Sequence, residues 1–461
     1  MVPEFDGPRA FGHRTVSINK RMKSKTLRNL TTVNFCLIVV GFFIISYFTV
    51  FNFGSEHESS WKWLSHRSDD GLVRLTLLSS AKNKGALCLD GSLPGYHFLK
   101  GTEAGTINWI IHVEGGGWCN TVKSCVKRKA TALGSSKEMQ KNVQFEGILS
   151  SSHLHNPDFA TWNKVKIRYC DGGSFSGHAE ALLKNGEKVH FKGKLIWDMI
   201  VDELILLGMH KAQNVLLSGC SAGGLATLIH CDDFKERLPN GVNVKCLTDA
   251  AFFIDEKDVR GSFSLRSFYH DVNKLQKRCE LQNLTLNLPR GCVSEYNPDK
   301  CMFPREIIKN LKTPLFVVQP AYDFWQIQNI LVPQPLSEWQ KCRLNLKLCD
   351  SDQLRTLLGY RDSLLREMSG FMEKKDSGYF INSCYIHCQT WMGSTWHSPT
   401  SPIINNKVNL ITSLKRFYSI FSNNISCDRR LQRQLVIGFS IAELPNSLTA
   451  LIFLVIHLAS I

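Results

Sequence analysis

Residues 219–223, Gly-Cys-Ser-Ala-Gly, have the G-x-S-x-G pattern of a nucleophilic serine. They follow an apolar run at 214–218 that predicts a β-strand, and they precede a run at 225–238 that predicts a helix. A sharp strand-to-helix turn lifts a serine hydroxyl out of the sheet. The helix N-terminus, with its unpaired N–H groups, then faces a developing oxyanion. The pattern therefore predicts that Ser221 is a catalytic nucleophile.

A serine nucleophile needs a general base and an acid that orients the base. Asp323 and His387 each come directly after an apolar run that predicts a strand. Both would lie where loops leave the carboxyl ends of strands, and their order after Ser221 is the order found in α/β-hydrolases. His397 is an alternative base, but His387 is closer to the end of its strand. The sequence predicts the catalytic triad Ser221, Asp323 and His387.

An oxyanion hole is expected from three consecutive glycines at 115–117, which follow a predicted strand at 108–114. Glycines let the backbone approach a reacting carbonyl group closely. The N–H group of Gly116 or Gly117, together with that of Ala222, would donate hydrogen bonds to the oxyanion.

The cysteines favour disulfides over a metal site. Of 16 cysteines, 15 follow residue 53, a density typical of an oxidising compartment, and the odd number leaves at least one thiol without an intrachain partner. Cys384, His387 and Cys388 suggest zinc, but no second Cys/His pair with finger spacing accompanies them. We predict neither a metal nor another cofactor. Cys220 is expected to be structural or paired, with a thiol nucleophile as the alternative.

The composition is that of a folded chain: of 461 residues, 43% are hydrophobic and 21% are charged. This length allows one large domain or two ordinary ones. The net charge is +15, and a basic surface attracts nucleic acid, anionic lipid or an acidic polysaccharide. The globular part has no zinc-finger pattern, no RNP-like motif and no sustained Lys/Arg run. Nucleic acid is therefore not expected as a partner.

An uncharged apolar run of 21 residues at 33–53 follows a basic stretch at 1–32. The run is long enough to span a bilayer, and the basic flank predicts a cytoplasmic N-terminus with the bulk of the chain in the lumen. We expect a single-pass type II signal anchor in the secretory pathway, in the Golgi membrane or at the cell wall; a cleaved signal peptide is the alternative. Asn283 and Asn424 lie in N-x-[ST] sites and are candidate glycan acceptors.

Short apolar runs alternate with helical patterns between a polar stem at 54–71 and an atypical apolar tail at 428–461. This alternation predicts an α/β fold with a mostly parallel central sheet flanked by helices, in one domain at 72–427. Stretches 262–305 and 333–350 lack clear periodicity and are expected to be disulfide-tied insertions that form a lid. The expected strands are 72–78, 108–114, 164–170, 214–218, 243–249, 312–319 and 378–384, and the expected helices are 194–209, 222–237, 351–368 and 405–418.

Seven stretches of the chain resemble the plant pectin acetylesterases, which are relatives of the animal Notum-type carboxylesterases. The resemblance implies an α/β-hydrolase-like fold and a metal-free triad, carried by Ser221 in GCSAGG, Asp323 in AYDFWQ and His387 in SCYIHCQ. The family differs from this chain at both ends, because its members usually begin with a cleavable signal peptide and end in a short Cys-rich tail. The matching stretches are CLDGSLPGYHFLKG (88–101), NWIIHVEGGGWCN (108–120), RYCDGGSFSG (168–177), LSGCSAGGL (217–225), CMFP (301–304), QPAYDFWQI (319–327) and NSCYIHCQTW (382–391).

The function implied by this resemblance is removal of acetyl groups from the homogalacturonan of pectin in the cell wall, so acetylated pectin is the expected partner. Two alternatives stay open. One is hydrolysis of a lipid ester on an acylated protein, as in the Notum relatives, which would need a deep apolar pocket. The other is a carbohydrate-binding or structural protein that keeps the hydrolase fold without turnover.

Overall fold

The structure is a computed structural model, and it describes residues 71–276, 288–289, 291–292, 299–333, 336–374 and 377–396. Its strands are β1 Val73–Leu77, β2 Gly95–Leu99, β3 Asn108–Val113, β4 Asn142–Val143, β5 Asn163–Ile167, β6 Ala179–Leu182, β7 Lys188–Phe191, β8 Asn214–Cys220, β9 Asn243–Asp249, β10 Leu315–Pro320 and β11 Gly378–Asn382. Its α-helices are α1 Ala81–Lys84, α2 Val122–Arg128, α3 Gly193–Leu206, α4 Ala222–Glu236, α5 Ser264–Gln276, α6 Pro304–Asn310, α7 Phe324–Gln326, α8 Ser351–Met372 and α9 Gly393–Trp396.

Within these residues, nine strands form one sheet in the order β11-β10-β9-β8-β3-β5-β2-β1-β4, and β6 pairs with β7 separately. The six strands from β11 to β5 run parallel, whereas β2, β1 and β4 are added antiparallel. Parallel strands are covered on both faces and so need apolar side chains. In β8 the side chains of Val215, Leu216 and Leu217 are fully buried. The predicted α/β class with a mostly parallel central sheet is confirmed.

The parallel register brings the carboxyl ends of β3, β8, β9, β10 and β11 to one edge of the sheet. Val113 of β3 pairs with Gly219 of β8, and Cys220 of β8 pairs with Asp249 of β9. The last residues of β10 and β11 pair with each other. The loops that leave these strands therefore share one edge, which is where parallel α/β sheets bind ligands.

Most of the predicted elements are present. The seven expected strands correspond to β1, β3, β5 and β8 to β11, and three expected helices correspond to α3, α4 and α8. The expected helix at 405–418 lies outside the described residues. The expectation that 262–305 lacks periodicity was wrong at its start, because α5 presents Leu265, Tyr269 and Val272 on one buried face.

Six disulfides join described cysteines, so the prediction of a disulfide-rich domain is confirmed. Two of them close small loops inside the predicted insertions, between Cys292 and Cys301 and between Cys342 and Cys349. Cys384 is also disulfide-bonded. The other four bridges are Cys88–Cys170, Cys119–Cys125, Cys220–Cys388 and Cys231–Cys246.

Several predictions concern segments outside the described residues: the basic stretch at 1–32, the apolar run at 33–53, the tail at 428–461, and the sequons at Asn283 and Asn424. In the part of the chain that the structure describes, no helix has the length and apolar character needed to cross a bilayer. The expected anchor at 33–53 is not tested by this finding.

Candidate active site

Ser221 occupies the turn between β8 and α4. Its φ of 57° and ψ of −127° form a backbone conformation that few non-glycine residues adopt, as a nucleophile elbow requires. The backbone N–H of Ser221 donates a 2.8 Å hydrogen bond to the carbonyl of Asp249, at the end of the neighbouring strand β9. This bond compensates for part of the strain and holds the serine at the N-terminus of α4.

The glycine loop after β3 packs directly against this turn. A Cβ atom on Gly115 would lie 2.5 Å from the carbonyl oxygen of Cys220 and 3.0 Å from Cβ of Ser221, so only glycine allows this approach. Among the described residues, the backbone N–H groups of Gly116, Gly117 and Ala222 donate to no other protein group. Free donors on the loop and at the helix N-terminus, both beside Ser221, are what an oxyanion hole needs.

Asp323 and His387 form a hydrogen-bonded pair in the loops after β10 and β11. The ring Nδ1 of His387 lies 2.9 Å from each carboxylate oxygen of Asp323, so Nδ1–H donates and Nε2 is left to accept a proton. Asp323 is also the N-cap of α7, because its Oδ1 accepts the backbone N–H groups of Trp325 and Gln326 at 2.9 and 3.2 Å. The aspartate therefore fixes both the tautomer and the orientation of the ring.

The surroundings of His387 set its pKa by opposing effects. Burial alone lowers the pKa, because a charged ring loses its solvation. The hydrogen-bonded carboxylate of Asp323 raises it, Asp249 raises it further, and the net result is a pKa above the ordinary 6.5. The ring of His387 therefore accepts a proton more readily than an ordinary histidine, and the neighbouring carboxylates are the reason.

A disulfide joins the turn that carries Ser221 to the loop that carries His387, and the sequence did not predict this pairing. Cys220 precedes the serine, Cys388 follows the histidine, and the two residues are bonded with Cα atoms 5.7 Å apart. The sulfur atoms of Cys220 and Cys388 and a ring nitrogen of His387 lie within 4.8 Å of one another, a spacing that would suit a metal. Both sulfurs are committed to the disulfide, so they do not offer the thiolates that zinc binds. The bridge also removes Cys220 as an alternative nucleophile.

Asp249 is a second residue that sequence reasoning missed. Its carboxylate Oδ2 is fully buried and accepts the backbone N–H groups of Gln389 and Thr390 at 2.6 and 2.7 Å, while its carbonyl holds the N–H of Ser221. Burial raises the pKa of Asp249 to about 6. One residue therefore connects the serine turn with the loop that carries His387.

Aromatic rings line the side of the site next to the base. The ring of Trp325 stacks on His387 at 5.9 Å between centroids, and its edge meets the ring of Trp118 at the same distance. Trp118 also contacts the rings of Phe253 and Tyr269 at 5.1 and 5.2 Å. Trp118 and Trp325 adjoin the glycine loop and Asp323 in sequence, a signal that could have indicated them.

The structure places all six predicted site residues at the same edge of the sheet. Ser221 and Ala222 lie at the end of β8, Gly116 and Gly117 lie in the loop after β3, and the Asp323–His387 pair lies beyond β10 and β11. The rival base, His397, lies outside the described residues. The catalytic roles themselves stay predictions.

A family profile described as pectinacetylesterase matches residues 66–430. The chain belongs to the pectin acetylesterase family. It is 53% identical over 343 residues to pectin acetylesterase 5 of Arabidopsis thaliana, which covers 74% of this chain and 79% of that one. Identity to pectin acetylesterase 4 of the same plant is 47% over 383 residues, or 82% of this chain and 91% of the relative. As a member of this family, the chain is a carboxylic ester hydrolase.

More distant similarity extends to animal proteins. The palmitoleoyl-protein carboxylesterase NOTUM of Schmidtea mediterranea is 32% identical over 259 residues, which is 53% of this chain and 48% of the relative. The solved structure of the Wnt deacylase Notum from Drosophila superposes with a TM-score of 0.62 at 23% identity, over 77% of this chain and 97% of that one. This likeness shows a shared α/β-hydrolase-like fold.

Proposed function

We propose that this pectin acetylesterase hydrolyses acetyl esters of pectin homogalacturonan with Ser221 as nucleophile, His387 as base and Asp323 as orienting acid. The observation that carries the proposal is the 2.9 Å contact of His387 Nδ1 with the Asp323 carboxylate at the sheet edge where Ser221 occupies a strained turn. The names of the plant relatives indicate the substrate.

The proposed reaction uses the hydroxyl of Ser221, Nε2 of His387, and the N–H groups of the glycine loop and Ala222. Ser221 Oγ attacks the acetyl carbonyl carbon while Nε2 of His387 takes the hydroxyl proton, and the carbonyl oxygen becomes an oxyanion. The N–H groups of Gly116, Gly117 and Ala222 stabilise that charge. The C–O bond to the sugar then breaks, and the sugar oxygen takes the proton from His387. Water, deprotonated by the same ring, releases acetate and regenerates Ser221.

The aromatic wall favours a short acyl group. Trp118 meets the rings of Phe253, Tyr269 and Trp325 edge to face, and Phe253 also meets Trp325, at centroid distances of 5.1 to 5.9 Å, so aromatic side chains fill the side of the site next to His387. An acetyl group needs little depth, whereas a lipid ester needs a deep apolar cavity. This packing supports acetyl transfer to water over the lipid-ester alternative.

The location of the enzyme is also part of the proposal. Six disulfides among the described residues support folding in an oxidising compartment, from which a pectin acetylesterase would reach the cell wall. The net charge of +15 would favour contact with a polyanionic polysaccharide. We further propose that residues 33–53 anchor the chain in a membrane. Release of the protein by alkaline carbonate would contradict the anchor.

The deciding experiment measures acetate released from acetylated homogalacturonan by the wild type and by Ser221→Ala. Loss of a nucleophile that works with its base typically lowers kcat by about 10⁶. Ser267→Ala, an exposed serine on α5, is the matched control and should keep full activity. Near wild-type acetate release by Ser221→Ala would refute the serine mechanism. Faster hydrolysis of a long-chain than of a short-chain nitrophenyl ester would favour the lipid-ester alternative.

A further inference from the structure

Arg128, the last residue of α2, reaches back to the glycine loop and binds its carbonyl groups. Its Nη2 donates to the carbonyl oxygen of Gly116 at 2.7 Å and to that of Gly117 at 3.3 Å. Its Nε donates to the carbonyl of Leu133 at 3.0 Å, which fixes the plane of the guanidinium. The triad does not require this arginine, yet it contacts the loop that the proposed oxyanion hole uses.

Two features hold Arg128 in this position. The Cys119–Cys125 disulfide ties α2 to the residue that follows Trp118, so the helix cannot drift from the loop. Gly172 packs against both Cys119 and Arg128: a Cβ atom there would lie 2.7 Å from Sγ of Cys119 and 3.5 Å from Cδ of Arg128. The arginine is therefore placed before any substrate binds.

Tyr169 supports the same loop from the other side. Its hydroxyl donates to the carbonyl of Gly117 at 2.8 Å, and the guanidinium carbon of Arg128 lies 5.2 Å from the centre of its ring. Within the described residues Arg128 forms no salt bridge. Asp171, whose charge acts on Arg128 from a distance, is buried and already accepts backbone N–H groups from Gly173 and Phe175. The positive charge is thus directed at the loop carbonyls.

The chemistry of the peptide group connects Arg128 to catalysis. The carbonyl of Gly116 and the N–H of Gly117 belong to one peptide unit, so a cation bound at the oxygen draws electron density toward it and leaves the N–H more positive. Charge-assisted hydrogen bonds are roughly twice as strong as neutral ones, and bonded groups polarise one another in sequence. The effect is in place before the reaction, as preorganised electrostatic stabilisation requires.

We propose that Arg128 is a positioning residue of the oxyanion hole, which fixes and polarises the Gly116–Gly117 peptide so that the N–H of Gly117 stabilises the oxyanion more strongly. This inference rests on the proposed serine mechanism. It differs from a role in binding the carboxylates of the substrate, because the guanidinium donates to three backbone carbonyls and acts on the transition state of any acetyl ester, charged or neutral.

The test compares Arg128→Gln and Arg128→Lys with the wild type on 4-nitrophenyl acetate, a neutral ester, with rates normalised to active sites titrated by the acyl-enzyme burst. Removal of an oxyanion donor costs about 10²–10³ in kcat. A weakened donor should cost less, so Arg128→Gln should lose about tenfold in kcat with KM within about twofold. Arg128→Lys, which keeps the charge, should recover part of this loss. Lys127→Gln removes a charge from the exposed side of the same helix and should leave kcat unchanged.

A second readout isolates the transition state. A trifluoromethyl ketone adds to the serine as a tetrahedral oxyanion, and its inhibition constant should rise in Arg128→Gln by the same factor by which kcat falls. Unchanged kcat and inhibitor affinity would overturn the proposal. A KM that rises only for acetylated homogalacturonan would also overturn it. So would a loss of activity in Arg128→Gln that is explained entirely by a smaller number of titratable active sites, with an unchanged rate per site. An inactive Ser221→Ala beside a fully active Arg128→Gln contradicts this inference alone, whereas an active Ser221→Ala contradicts the serine mechanism.

Discussion

Asp323→Asn tests the proposed triad at the contact that defines it. The asparagine oxygen can still accept the N–H groups of Trp325 and Gln326, which now bind Oδ1, so α7 keeps its N-cap. The amide NH₂ then takes the position of Oδ2, 2.9 Å from Nδ1 of His387. Because an NH₂ group can only donate, it favours the ring tautomer with the proton on Nε2, which cannot accept a proton from Ser221. The amide oxygen, at the position of Oδ1 and also 2.9 Å from Nδ1, competes for an Nδ1–H donor but already accepts two backbone N–H groups.

The loss of charge adds to the loss of the correct tautomer. At about 4 Å between charge centres and an effective dielectric constant of about 20, carboxylate and imidazolium attract by about 4 kcal/mol. Removing that energy from the transition state corresponds to about 10³ in rate. Together with the tautomer effect, we expect kcat to fall by about 10³–10⁴.

The pH profile gives an independent readout of the same substitution. His387 must be neutral to act as a base, and its pKa lies above 6.5 because Asp323 and Asp249 together outweigh burial, so wild-type activity should fall as the pH drops through that raised pKa. In Asp323→Asn the ring of His387 stays buried but loses the carboxylate charge that raises its pKa. The acid limb of the kcat/KM profile should therefore move to lower pH.

The assay is hydrolysis of 4-nitrophenyl acetate from pH 5 to 9 with thermal unfolding measured in parallel. Asp350→Asn makes the same change at the N-cap of α8 and should alter neither kcat nor the pH profile. A kcat within tenfold of the wild type together with an unmoved acid limb would refute the role assigned to Asp323.

Two further predictions concern the same loops. The double variant Cys220→Ala/Cys388→Ala should lose about 2–5 kcal/mol of unfolding free energy and most of its turnover, because the bridge joins the nucleophile loop to the base loop; unfolding curves and site-normalised rates check both losses. His387→Ala should be about as inactive as a variant without the nucleophile, whereas His397→Ala should be much milder. The reverse order of activities would show that the base was assigned to the wrong histidine.

The sequence predicted the central parallel strands because a strand that is covered on both faces is largely apolar, as are residues 215–217 of β8 and 315–318 of β10. The same rule missed β2, in which His97 lies among the buried residues, and the short hairpin of β6 and β7, in which buried apolar residues alternate with polar ones such as Glu180 and Lys188. In these elements pairing with neighbouring strands outweighs the local pattern.

At the candidate site, the residues that could be predicted are those whose type suits a catalytic role and whose position directly follows a predicted strand. The contacts that hold them could not be predicted, because they join distant parts of the chain. The carboxylate of Asp249 binds a loop 140 residues further on, and Cys220 pairs with Cys388 rather than with any of the other cysteines. Arg128 lies on the short helix α2, and its contact with the glycine loop depends on the Cys119–Cys125 disulfide that holds this helix in place.

The bridge between Cys220 and Cys388 has a consequence for biosynthesis, since it spans 168 residues of sequence. At about 5–20 residues per second, the ribosome delivers the histidine some 10–30 s after the serine. During that interval the nascent chain carries Ser221 without His387, so under the proposed mechanism it should hydrolyse no ester. Under the proposed mechanism, hydrolysis should begin only after β11 has joined the edge of the sheet and the Cys220–Cys388 bridge has formed. The appearance of activity therefore reports the end of folding, and a chain truncated before β11 should be inactive.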